Sequence, residues 1–218
     1  MTSSIIQLLV LAGIAVFLIL RLKNVLGTRD GYEPPRESAP MPNGVAHDFE
    51  VIEGGLDLDI ADHVDIESRA GRALVSMKEI EPDFSVTEFQ SGARQAYEMI
   101  LMAFEGGDLD MLKQFLSRDV YTSFESVIVD RKAKGLVVEA TFVGVRETKI
   151  VDAMFDQANN ESEITMRFLG ELTSVVKDES GEVIEGDANA IKKQKDVWTF
   201  ARIMGSNDPN WKLVATGE

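Results

Sequence analysis

The 218-residue chain contains no cysteine. Disulfides, thiolate metal sites and cysteine nucleophiles are therefore excluded. Histidine is nearly absent too: the two present, His47 and His63, both lie in an acidic stretch. No imidazole base is available anywhere after residue 63. Positive charge is scarce. All 37 acidic residues follow Arg29, as do 19 of the 22 basic ones, so the part beyond Arg29 carries −18. Such a surface repels nucleic-acid phosphates and anionic headgroups. Catalytic signatures are also missing. There is no P-loop, G-x-G-x-x-G, H-E-x-x-H or G-x-S-x-G. Ser174-Val-Val-Lys177 has S-x-x-K spacing, but on a strand pattern, without the helical register that brings such a pair together. The acidic stretch lacks the ordered ligand spacing of a calcium loop. No cofactor or metal is expected.

What the chain does have is one long apolar run, Ile5 to Leu20, broken only by Gln7. It is apolar all round, as a membrane span is, rather than along one stripe. With its flanks it reaches about 20 residues, enough for a ~30 Å hydrocarbon core. No basic residue precedes it and no Ala-x-Ala follows, so an uncleaved anchor over 4–22 is expected rather than a signal peptide. Arg21, Lys23 and Arg29 follow the span. The positive-inside rule then puts the remainder on the cytoplasmic side of the inner membrane. The span has no Gly-xxx-Gly, so no tight helix dimer is expected from it.

Residues 23–65 read as a linker. Four of the six prolines fall in 32–44, and residues 47–67 hold eight acidic residues and no Lys or Arg. Such composition favours solvated, extended chain. A tether of that length holds a domain within roughly 35 Å of its root. Over 66–82, Ala70, Ala73, Leu74 and Met77 make an amphipathic stripe that packs on the domain, the membrane or a partner.

From residue 83 the signals sharpen into a domain ending at 218. Ser85 and Glu88 form a capping box, and Phe84 and Phe89 the matching hydrophobic staple. Phe89, Ala93, Tyr97, Ile100 and Phe104 recur at helical spacing until Gly106-Gly107. Asp108 opens a second helix and Asp119 a third, closed by Gly135. The period then becomes two. Ile164, Met166, Phe168 and Leu172 alternate against Glu163, Thr165, Arg167 and Glu171. A hairpin turns at 179–181, and VWTFARIM and NWKLVAT follow as strands. Helices followed by an antiparallel sheet make an α+β fold.

FQSGARQAYEMILMAFEGGDLDMLKQFL, ITMRFLGEL, VWTFARIM and PNWKLVAT together resemble the domain of translocase-of-the-inner-membrane subunit 44, including its membrane-anchored alphaproteobacterial relatives. The resemblance covers about residues 80–218. It implies a nuclear-transport-factor-2-like cone, with helices against a curved antiparallel sheet around an apolar cavity. It also implies a non-enzymatic adaptor at the inner membrane, in protein transport. The mitochondrial relatives recruit a chaperone to an import channel and contact cardiolipin; here an anchor and an acidic linker replace their basic chaperone-binding region. The expected partners are a translocase, chaperone or insertase component, and a lipid in the cavity. On that reading Tyr97, Ile100, Phe104, Phe168, Glu171, Trp198, Phe200 and Arg202 line the cavity. Arg202, among aromatics, needs a carboxylate, with Glu171 or Glu147 the expected partner. The competing reading is an isomerase- or dehydratase-like enzyme of the same cone fold, which would use Tyr97 and Glu171.

Overall fold

The computed structural model describes residues 57–217. The expected anchor over 4–22 and most of the linker lie outside them. Among the described residues no helix is long and apolar enough to cross a membrane.

The ordered part begins inside the stretch expected to be solvated linker. Asp57 accepts from the Ile60 amide and caps a one-turn helix, α1 (Leu58–Ala61), whose Ile60 is fully buried. α2 (Arg69–Ile80) follows Ser68 and buries Ala70, Leu74 and Met77. It packs on the first strand, so the amphipathic stripe faces the domain. The expected linker boundary at 65 is corrected accordingly: residues 57–65 are folded onto the domain. The reason is non-local. The Asp59 carboxylate accepts from the amides of Val86 (2.7 Å) and Thr87 (2.9 Å), at the start of α3 (Val86–Gly106), and pairs with Lys78 at 2.8 Å. It therefore supplements the Ser85 cap, which accepts from Glu88. Negative charge and acceptor capacity at a helix N-terminus are doubly stabilising. Composition reads such an aspartate as solvated; position makes it a cap.

The staple is formed as well, with Phe84 and Phe89 rings 6.4 Å apart. α3 ends at Gly107, whose φ of 69° is the left-handed cap that only glycine takes without strain. α4 (Leu109–Phe115) is capped by Asp108. α5 (Arg118–Ala133) is capped by Ser117, one residue before its first helical position, and not by Asp119 as expected.

Four strands form one antiparallel meander in the order β1 (Val137–Asp156), β2 (Glu161–Lys177), β3 (Val183–Ile203) and β4 (Lys212–Gly217). β1 is a single strand with register shifts at 142/144, 145/147 and 150/152, and such bulges bend a strand. Their loosened edge is held from α3: Arg94 donates to the Val145 carbonyl at 3.0 Å and Gln90 to that of Thr148 at 3.2 Å. The inward positions Ile164, Met166, Phe168, Trp198 and Phe200 are all buried in one core with the inner face of α3. At the far edge the Ser117 amide donates to Leu213, which ties the helices to β4.

Candidate functional site

The eight expected cavity residues occupy four separate places. Tyr97, Ile100, Phe168 and Trp198 form the interior. The Tyr97 ring stacks on Phe168, with centroids 4.5 Å apart and planes 12° apart, and lies 4.7 Å from Trp198. Its hydroxyl donates to the Asp196 carboxylate at 2.6 Å. Burial first, and then that carboxylate, push the phenol well above its ordinary pKa. Gly170 makes room for it: a Cβ there would lie 2.5 Å from the Tyr97 hydroxyl oxygen. These side chains fill the core with one another.

Phe104 sits elsewhere, against Phe124 at 4.7 Å with the Arg131 guanidinium 4.4 Å over its ring. Glu171 lies on the opposite sheet face, buried and paired with Arg146 at 2.9 Å. Tyr97 and Glu171, the pair selected by the enzyme reading, thus point to opposite sides of the sheet. Among the described residues no group of three or more acidic or histidine side chains has metal-binding geometry.

Phe200 and Arg202 mark the open site. A groove of about 660 Å³ runs between the first half of α3, the 81–85 turn, the end of α4 and the 209–212 turn. Phe84, Phe89, Phe200 and Trp211 line it; Trp211 lies 4.7 Å from Phe89 and 5.9 Å from Phe84. Arg202 lies under this wall with its guanidinium 5.3 Å from the Trp211 ring. The expected partners of Arg202 are corrected. Glu81, not Glu171 or Glu147, takes its Nη2 at 2.8 Å. Glu147 pairs with Arg167 instead. Both Glu147 and Glu171 are displaced from Arg202 because their side chains leave the sheet on the other face.

Glu81 also accepts from the Gly205 amide at 3.1 Å. Burial pushes its pKa up, but the Arg202 hydrogen bond and the Gly205 amide outweigh this and hold it below the usual carboxylate range. Arg202 Nε is buried with no hydrogen-bond partner among the described residues. The Ser162 hydroxyl, directly opposite Arg202 in register, is in the same state. An aromatic groove therefore has a largely buried cation in its wall. Its rim is acidic at Asp83 and Glu88, with Lys212 on the other side.

Sequence reasoning missed Glu81, Phe84, Phe89 and Trp211 as site residues. Phe84 and Phe89 were visible only as a helix staple, and Trp211 only as part of the P-N-W signature. A sufficient signal was present: two aromatics beside a helix start, and a tryptophan next to a turn.

The same groups set an acid limit on the fold. Burial pushes the Asp59 carboxyl up, but Lys78 and the Thr87 and Val86 amides prevail and hold it far below the usual carboxylate range. For a carboxylate whose folded pKa is depressed, the stability it contributes is complete above its unfolded pKa and is lost as pH falls through the folded one. Melting temperature is therefore expected to hold steady down to about pH 4.5 and then fall as Glu81 and Asp59 protonate. Asp59→Asn is expected to lower it at pH 7 and to reduce the additional loss in acid. An equal acid loss in wild type and Asp59→Asn would show that this cap does not set the limit.

A meander of four strands with helices packed on one face and an aromatic groove at one end defines an α+β domain with an open cleft. The chain belongs to the Tim44-like family: the family model for the Tim44-like domain matches residues 70–218, from within α2 to the end of the sheet. Human mitochondrial import inner membrane translocase subunit TIM44 is 23% identical over 151 residues, covering 68% of this chain and 33% of its own length. The rat protein of the same name is 26% identical over 117 residues, covering 53% and 25%. The Arabidopsis thaliana subunit TIM44-1 is 21% identical over 139 residues, covering 61% and 29%. The chain thus spans a third or less of the curated relatives it matches. The crystal structure of the intermembrane space region of chloroplast protein ARC6 aligns at 14% identity with a TM-score of 0.37, over 66% of this chain and 94% of that one.

Proposed function

We propose that this protein is a membrane-associated, non-enzymatic adaptor in protein transport, and that the Phe84–Phe89–Trp211 groove is where it takes hold of a partner. The relatives are named as subunits of an inner-membrane translocase, which supports the setting. The observation that carries the site is the aromatic groove with Arg202 in its wall. On this reading residues 4–22 anchor the chain, the cone-like domain lies on the side of Arg21, and the partner is a translocase, chaperone or insertase component. The Arg202 cation in the groove wall favours a further ligand: a lipid whose anionic head meets Arg202 and whose chain lies along Phe84, Phe89 and Phe200.

Gly92 gives a clean test. It lines the groove on α3, and a Cβ there meets nothing within 4 Å. Gly92→Trp is expected to cover the groove while leaving the melting temperature unchanged or slightly higher, since glycine is a poor helix former. Recovery of membrane partners with the tagged chain should then fall to background.

A further inference from the structure

Three middle rows of the sheet face turned away from the helices have a charge opposite to that of the molecule. The register places Lys149, Arg167 and Val197 in one row across β1, β2 and β3. The next row is Glu147, Leu169 and Lys195, and the third is Gly144, Glu171 and Lys193. Arg146, in the bulge of β1, reaches Glu171 at 2.9 Å, and Arg167 reaches Glu147 at 3.2 Å. Those two pairs cancel. Lys149, Lys193 and Lys195 are exposed, and none has an ion pair among the described residues. The three rows therefore carry a net +3, on a chain that is −18 beyond Arg29. Half-buried Leu169 lies on β2 between the lysine-bearing strands β1 and β3, with half-buried Val197 beside it on β3.

We propose that this face docks an acidic polypeptide segment, with an apolar residue over Leu169 and Val197 and carboxylates reaching Lys149 on one side and Lys193 and Lys195 on the other. The dimensions fit a single segment. Two strand spacings give about 10 Å between the lysine columns, and three rows about 13 Å along the strands. A bilayer or nucleic acid would present uniform negative charge to Glu147 and Glu171 and to the acidic body around them. A short segment meets only the local field. The site is separate from the groove and does not depend on what the groove binds.

Lysines on open strands also discourage edge pairing, and among the described residues neither the outer side of β1 nor the Lys193–Lys195 part of β3 pairs with a further strand. The experiment separates the two roles. Anisotropy of a labelled peptide of about ten alternating Glu and Leu residues is titrated with the full chain at low and high salt. A triple Lys149→Gln, Lys193→Gln, Lys195→Gln variant is expected to bind about tenfold more weakly, from three modest exposed charge contacts. A control with Lys113→Gln and Lys132→Gln, on the helices, should bind as wild type does. Equal affinity in the triple variant overturns the proposal, whether or not that variant self-associates. So does lysine-dependent binding of phosphatidylglycerol vesicles without binding of the peptide.

Discussion

Phe168→Ala should lower the melting temperature of the domain by roughly 10–15 °C, the largest effect expected from a single truncation. Phe168 is fully buried at the centre of β2, under α3. Its ring stacks on Tyr97 and lies 5.9 Å from Trp198 and 6.5 Å from Phe200. Removing it loses the transfer free energy of an aromatic ring and leaves a void that these three large rings cannot collapse to fill. Such losses run to about 3–5 kcal/mol. Phe168→Leu keeps much of the volume and should recover more than half of the loss. If alanine at 168 were tolerated within about 1 kcal/mol, the interior would not be the close-packed aromatic block described above.

Arg202→Ala is next, at about 3 kcal/mol, which is roughly 6–12 °C. The guanidinium is buried, and its removal leaves Glu81 with only the Gly205 amide in a partly desolvated site. It also removes the cation beneath Trp211. The cost comes mostly from stranding a partner. The double variant Arg202→Met with Glu81→Gln should therefore be much more stable than Arg202→Ala, because no unpaired charge remains and the volume is kept. Thermal melts of the single and double variants decide this. A double variant as unstable as Arg202→Ala would show that the ion pair itself, rather than the avoidance of an orphan charge, holds the 81–85 turn to the sheet.

These two residues also show what was legible from sequence. Strand alternation placed Phe168 and Trp198 inward, and Arg202 beside Phe200, because period two is a local property of β2 and β3. The helix start at Ser85 was legible for the same reason: cap and staple are patterns within six residues. The partner of Arg202 was not, since Glu81 lies 121 residues earlier and meets it only when α2 docks on the sheet. Asp59 failed for a related reason. In sequence it is one of eight acidic residues in a run, and nothing local distinguishes it from those left in water. Ile60, Val64 and Ile66, apolar residues in that run that pack on the core, were the available hints. The groove itself required three pieces far apart in the chain: Phe84 and Phe89 at a helix start, Phe200 on β3, and Trp211 past the last turn. The bulges of β1 also lay beyond pattern reading, because they are set by pairing with β2 rather than by β1's own residues. The same dependence explains why Glu171, correctly read as opposite in face to Phe168, and Glu147, on β1, were poor candidates to reach Arg202.

The central claim is that this domain works by holding a partner in the groove beside Arg202. Its most direct test is recovery of crosslinked partners from intact membranes by wild type and by Gly92→Trp, with melting curves for both. The account predicts matching stability, with discrete protein or lipid adducts on the wild type and none on Gly92→Trp. The same adducts, in the same yield, on a folded Gly92→Trp protein would contradict it.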